Sequence, residues 1–275
     1  MKTNRCSSRQ SVGLFVVFMA LPILTVPADS INVRLVAESG FLGVIDHRIA
    51  FAQEDSTFRY HEDGGQDVLF PFLRFSAEVD VADRHTVIFL YQPLLLETRE
   101  TLPEEFSVDG VEFAGDSLLS RYSFPFYRFS YLNEFFRSDR FSLAAGASLQ
   151  IRNANIEFEA QGGEESAGYY RSAGVGPVPL LKARARYDLT GGFWLGAELD
   201  GIYAPISYFN GSDNDTVGAL LDASLRAGYD GGGSIRPFIN LRYLGGGASN
   251  DDPADYTENW INVFSLSLGA AADIW

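Results

Sequence analysis

The feature that most constrains this chain is a strict two-residue alternation that persists over unusually long runs. From Leu69 one face reads Leu69, Leu73, Phe75, Ala77, Val79 and Val81, while Arg74, Ser76, Glu78 and Asp80 occupy the other. From Phe141 the apolar set is Phe141, Leu143, Ala145, Ala147, Leu149 and Ile151, against Ser142, Ala144, Gly146, Ser148, Gln150 and Arg152. Leu181, Ala183, Ala185 and Tyr187 alternate with Lys182, Arg184, Arg186 and Asp188. Val217 to Tyr229 repeats the pattern with Asp222 and Arg226 on the polar side. A period of two is the strand period, because successive side chains leave a strand on opposite faces. A strand in a soluble sheet averages 5–6 residues. Runs about twice that length, apolar on one side and charged or small on the other, fit strands that cross a bilayer. A soluble β-sandwich would alternate too, with shorter strands.

Ten such segments are expected, at 32–45, 67–81, 85–98, 120–133, 140–158, 175–188, 192–208, 216–229, 234–244 and 259–274. The connections sort by length. Those at 82–84, 134–139, 189–191 and 230–233 are short and rich in Asp, Gly and Ser; those at 46–66, 99–119, 159–174, 209–215 and 245–258 are mostly long. Short and long alternate strictly, as in barrels with short periplasmic turns and longer external loops. The reading is an all-β fold, an antiparallel up-and-down transmembrane β-barrel of ten strands, with eight and twelve as the neighbouring even numbers. Segment 85–98 is nearly all apolar and does not alternate cleanly. Segment 46–61 has room for a further strand pair, which would give twelve.

The first 28 residues read as a signal peptide, and residues 29–275 as the barrel. Lys2, Arg5 and Arg9 precede an apolar run from Val12 to Val26, and Val26-Pro27-Ala28 supplies small residues at the two positions a signal peptidase reads. The run is short of the ~20 residues of a membrane helix and is interrupted by Pro22. Cys6 lies inside this segment and is the one cysteine of the chain, so a disulfide scaffold and a cysteine-based metal site are excluded from the mature part. The net charge of −15 becomes −18 once three cations leave with the signal. That acidity argues against nucleic acid as a partner.

The signal segment, the ten alternating segments and the end Phe264-Ser-Leu-Ser-Leu-Gly-Ala-Ala-Ala-Asp-Ile-Trp275 together resemble the bacterial outer-membrane β-barrels. The resemblance covers the whole mature chain and is architectural. It implies residence in the outer membrane and recognition of the terminal Trp275 by the barrel assembly machinery. Leu266, Leu268, Ala270, Ala272 and Ile274 have the opposite parity to Trp275, so a bulge near the end is needed to reconcile the two. Aromatic girdles are expected from Tyr187, Phe193, Trp194, Tyr229 and Trp275 at the turn end, and from Tyr203, Tyr208, Phe209, Tyr243 and Trp260 at the loop end.

By parity the lumen receives Arg74, Arg128, Arg152, Lys182, Arg184, Arg186, Arg226, Arg236 and Arg242, with Glu78, Asp80, Glu198, Asp200 and Asp222. Buried charges must be paired or hydrated. The expectation is therefore a narrow or occluded, salt-bridged lumen in a non-enzymatic barrel serving structure, surface interaction or limited small-solute passage. The excess of cations leaves a small anion-preferring channel as an alternative.

An envelope hydrolase is a second class. Lipid-modifying barrel enzymes use a histidine near a serine, and the ten-stranded outer-membrane proteases place aspartates and a histidine at the external rim. His47 and His61 are the candidates, with Ser39, Asp46 and Ser56 nearby in sequence. A base must reach its nucleophile by a hydrogen bond, and no defined spacing joins these residues. No cofactor and no metal site is implied. The five long connections carry 20 acidic residues and only four basic ones, Arg48, Arg59, Arg99 and Arg171. A solvated surface explains them, and bridging to lipopolysaccharide phosphates through divalent cations is the functional expectation.

Overall fold

The computed structural model describes residues 31–51, 57–101, 106–108, 110–113, 117–161, 168–205, 216–250 and 257–275. The expected signal peptide and Cys6 lie outside them, as do Ser56, Tyr208, Phe209 and many of the acidic loop residues. The elements are β1 (Ile31–Phe51), β2 (Thr57–Arg59), β3 (Leu69–Val81), β4 (His85–Gln92), β5 (Leu95–Thr101), β6 (Phe106–Val108), β7 (Val111–Phe113), β8 (Ser117–Ser123), β9 (Phe126–Arg137) and β10 (Phe141–Gln161). They continue with β11 (Tyr169–Asp188), β12 (Phe193–Pro205), β13 (Thr216–Tyr229), β14 (Ile235–Asn250) and β15 (Thr257–Asp273).

Every neighbour pair in the wall is antiparallel, and β15 closes on β1 with Arg34 opposite Asp273 and Phe51 opposite Thr257. The wall is a closed barrel of ten strands. β4 with β5 forms one of them and β8 with β9 another. Both composite strands break at the same height, at Pro93-Leu94 and Phe124-Pro125. Proline lacks the N–H that the ladder requires. A bond from Phe124 N–H to the Leu94 carbonyl (2.8 Å) spans the break.

The extra strand material expected in 46–61 exists but does not enlarge the barrel. β2 pairs with β1 at Arg48–Ala50, on the edge that β3 leaves open beyond Gly43. β6 and β7 form a separate hairpin. Several wall strands run further than the alternation indicates: β10 reaches Gln161 and β11 begins at Tyr169.

The outer surface carries a broad band of exposed Leu, Val, Phe and Tyr, including Leu35, Phe75, Phe89, Phe129, Leu149, Leu181, Leu225, Leu241 and Leu266. Above it the wall turns polar. Glu97, Arg121, Glu157 and Arg171 stand side by side across β5, β8, β10 and β11, each directly opposite the next in register. Arg121 donates to Glu97 (2.8 Å) and to Glu157 (2.7 Å), and Arg171 lies 3.5 Å from Glu157. These bonds hold the Glu157 carboxyl below the usual range, the Asn155 amide first and Arg121 next. On the other side Asp46 and Asn262 lie above Tyr243 and Phe264. The strands therefore project past the bilayer as a collar at the loop end.

Inside, the sidedness inverts. The collar is filled by one apolar cluster to which the long connections contribute. Phe58 and Tyr60 come from the first connection and Val108 and Phe113 from the second, packing on Leu96, Tyr122, Ile156 and Phe158 of the wall. Phe158 lies 5.1 Å from Phe58 and 5.6 Å from Tyr60 between ring centroids. This explains why 85–98 fails to alternate. Val87, Phe89 and Leu95 face outward, while Ile88 is buried inside and Leu90, Leu94 and Leu96 belong to this cluster, so both faces are apolar.

The chain end carries the bulge that parity demands. The Val33 carbonyl accepts from Ile274 N–H (2.8 Å), but Val33 N–H donates to the Trp275 carbonyl (3.0 Å). Two residues thus oppose one, and Ile274 and Trp275 are both exposed. Tyr187, Phe193 and Tyr229 are also exposed at this end. Trp194 departs from the expected girdle. It follows Phe193 on the same strand, so it must point the opposite way, into the lumen.

Candidate functional site

Below the collar cluster the lumen is a belt of charge. Arg128 on β9 reaches across to Asp200 on β12 (2.9 Å) and Asp222 on β13 (2.7 Å). Arg242 on β14 grips Asp222 with two nitrogens and extends its third to Gln92 on β4 (2.6 Å), again across the lumen. Lys182 bonds Asp200 (2.8 Å) and Glu198 (3.1 Å), and Ser148 Oγ donates to Asp200 (2.6 Å). Nearer the turns, Arg184 on β11 spans to Glu78 on β3 with two bonds of 3.0 and 2.9 Å. Arg226 joins Glu198 (2.8 Å) to Glu38 (3.1 Å). The side chains of Arg128, Asp200, Asp222, Lys182 and Arg242 are almost wholly buried.

The sequence-derived lumen residues divide into three groups. Arg74, Arg128, Lys182, Arg184, Arg226, Arg242, Glu78, Glu198, Asp200 and Asp222 form this belt, although Arg74 approaches Glu38 only to 3.9 Å. Asp80, Arg186 and Arg236 sit at the turn end. Asp80 accepts from Thr86 (2.6 Å), Arg186 pairs with Asp188 (2.8 Å) and Asp230 (2.6 Å), and Arg236 bonds Asp273. Arg152 stands apart, half-buried, with no ion pair among the described residues.

Parity reasoning passed over Glu38, which is buried and accepts from Arg226, Asn240 (2.7 Å) and Ser267 (3.1 Å). It was readable: Arg34 and Glu38 alternate with Leu35 and Ala37 in the first strand. Gln92 and Asn240 were also missed, because uncharged polar residues carry no such flag, whereas Gln150 already stands on the polar face beside Ser148 and Arg152 in the alternation from Phe141.

Among the described residues neither His47 nor His61 is hydrogen-bonded to a serine or a carboxylate. His47 is fully buried in the collar, stacked on Tyr60 at 3.9 Å and edge-on to Tyr122 at 4.4 Å. Its Nδ1 meets Gln66 Oε1 at 2.8 Å, and its Nε2 has no partner among the described residues. It faces inward because a bulge between Val44 and Asp46 shifts the parity of β1. His47 lies above the apolar band, level with Arg48 and Glu258 on the outer wall. Burial in this aromatic setting pushes its pKa down to about 3, so the ring is neutral. Ser39 is exposed on the outer face of β1, below the collar, so the proximity in sequence does not become proximity in space. His61 is half-buried in the turn after β2.

No family model matches the chain, and no curated protein matches it. Among solved structures it is similar to the outer membrane protease OmpT of Escherichia coli, with a TM-score of 0.50, 11% identity, and coverage of 92% of this chain and 99% of that one. The fold is that of the bacterial outer-membrane β-barrels. A FadL homologue of Pseudomonas aeruginosa (TM-score 0.40, 11% identity, 90% and 91% covered) and Ail of Yersinia pestis (0.33, 11%, 87% and 99%) also match. At these identities the likeness concerns the fold of the barrel and nothing finer.

Proposed function

We propose that this chain is a non-conducting outer-membrane barrel whose role is carried by its rigid, collared outer end, in envelope structure or surface interaction. The observation that supports this most is the double closure of the lumen. An apolar aromatic cluster fills the collar, and the Arg128–Asp222–Arg242–Gln92 chain crosses the barrel directly beneath it. Water and ions need a continuous polar path. A packed aromatic layer denies it, and so do charges whose bonding capacity is spent on one another. Ten strands enclose an interior that side chains can fill, whereas aqueous porins use about 16–18.

The cation excess that favoured a small anion channel is largely absorbed by pairing. The buried belt holds Arg74, Arg128, Lys182, Arg184, Arg226 and Arg242 against Glu38, Glu78, Glu198, Asp200 and Asp222. For a hydrolase the required convergence of a histidine with serine or carboxylate is missing among the described residues. Docking of the chain end on the barrel assembly machinery is supported by the exposed Ile274-Trp275 bulge at the β1–β15 seam. Bridging to lipopolysaccharide through divalent cations would fall to the acids of the long connections, since Glu97 and Glu157 on the wall are already paired with Arg121.

Planar-bilayer recording tests the central reading. The unmodified protein should show no steady openings, and Arg184→Ala combined with Arg226→Ala should leave it closed, because the collar cluster and the Arg128–Asp222–Arg242–Gln92 chain both remain. Large, steady openings of the unmodified protein would refute closure.

A further inference from the structure

The belt does not fill the lumen to its turn end. Below Glu198 lies a cavity of about 110 Å³, open toward the short turns. Its floor is built from two aromatic rings laid flat against glycines. The indole of Trp194 covers Gly228, and the Phe238 ring covers Gly269; a Cβ at either glycine would collide with the ring. The ring centroids are 6.2 Å apart. Each ring carries a guanidinium, Arg186 over Trp194 at 4.6 Å and Arg226 over Phe238 at 5.3 Å. The cations are thus held in place by stacking as well as by their carboxylate partners.

What the ion pairs leave over is mostly donors. Arg184 commits both terminal nitrogens to Glu78 and Glu198, and Arg226 commits both of its own to Glu198 and Glu38. The Nε of each, and the indole Nε1 of Trp194, are buried and make no hydrogen bond among the described residues. All three residues line the cavity. Most of the carboxylate oxygens there are engaged, those of Glu78 and Glu198 by Arg184 and Asp230 Oδ2 by Arg186, while Asp230 Oδ1 makes no hydrogen bond among the described residues. The wall therefore offers three N–H donors, two of them on charged groups, against a single free acceptor oxygen. Buried donors of this kind ordinarily have partners.

We propose that this vestibule binds a small oxyanion, a carboxylate or phosphate group, which accepts from Arg184 Nε, Arg226 Nε and Trp194 Nε1. The site is a dead end. Lys182, Asp200 and Arg128 seal it above, so it holds its ligand without passing it on. This inference goes beyond the closed-lumen reading and survives independently of whether the collar conducts.

The test uses the full chain in octyl glucoside, a detergent without phosphate, with Trp260→Phe and Trp275→Phe so that Trp194 is the remaining indole. Inorganic phosphate, and acetate in a separate arm, are titrated at constant ionic strength against chloride, reading the Trp194 Nε1–H resonance. A saturable shift with either oxyanion, absent with chloride, is expected. Calorimetry then compares the parent chain with Trp194→Phe, which removes the donor and leaves a smaller aromatic ring in its place; affinity should fall about tenfold. A short-chain phosphatidylglycerol arm separates the sources. Competition with phosphate assigns a lipid headgroup, and inertness assigns a free solute. No shift with phosphate or acetate, or an equal shift with chloride, would overturn the proposal and leave a water-filled vestibule.

Discussion

Replacing Asp222 by asparagine should be among the most damaging isosteric changes available to this barrel. The carboxylate lies 2.7 Å from Arg128 Nη1 and 2.6 Å from Arg242 Nη2. At an effective dielectric of about 20, each such contact represents an attraction of about 6 kcal/mol, most of which offsets the cost of taking the charges out of water. The Asp222→Asn side chain would preserve volume and return one hydrogen bond. It would also leave Arg242 with Gln92 as its remaining polar partner and give Arg128 only Asp200 and Gln150. The expected loss is about 3–5 kcal/mol, the usual consequence of removing one member of a buried pair. Urea titration of the folded protein in phospholipid vesicles, followed by tryptophan fluorescence and by the heat-dependent gel shift, measures it. Adding Arg242→Gln should recover part of the loss, because the stranded cation goes too. A loss below about 1 kcal/mol would refute the idea that the belt is dry and interdependent, since hydrated charges would tolerate the change.

Truncating Phe158, fully buried between Phe58, Tyr60 and Phe113, to alanine should cost about 3–5 kcal/mol and raise hydrogen exchange in the collar. In contrast, Arg121→Ala on the outer collar should cost under about 1 kcal/mol in the same titration, because its pairs face solvent. His47 gives the collar a pH dependence. The unfolded chain takes a proton near pH 6.5 while the buried ring stays neutral down to about 3. Stability is then complete above pH 6.5 and falls by ~1.4 kcal/mol per unit as pH drops toward 3. His47→Gln should flatten the exchange rate of the Tyr60 amide between pH 4 and 6.5, and an unchanged slope would show that another group titrates. Gly228→Ala should lift the Trp194 indole off β13 and red-shift its emission.

The wall was legible because lipid outside and charge inside impose opposite demands on alternate residues, as in β11, where Leu181, Ala183 and Ala185 face one solvent and Lys182, Arg184 and Arg186 the other. Pairing partners followed less well. Parity places Arg128 and Asp222 inside, but the bond between strands four positions apart depends on strand order and stagger. The collar was illegible for a physical reason. Beyond Pro93 and Pro125 the inward face is as apolar as the outer band beneath it, so the two-residue signal vanishes where the plug begins. The inward turn of Phe58 and Tyr60 was hidden too, because acidic neighbours such as Glu62 and Asp63 make the connection read as a solvated loop. His47 was misplaced at an open rim by one bulged residue.

The alternating row Glu97–Arg121–Glu157–Arg171 sets how deep the barrel sits. Leu95 lies just beneath the row and is exposed to the hydrocarbon. Sinking by one residue pair would carry paired charges into lipid. Rising by the same step would bring Leu and Phe side chains into water. A membrane a few ångströms too thick is therefore resisted at the collar by charge, and one too thin is resisted at the opposite edge by apolar area. The two penalties differ in kind. Thickness mismatch should act asymmetrically on this molecule, with vertical position fixed most sharply from above.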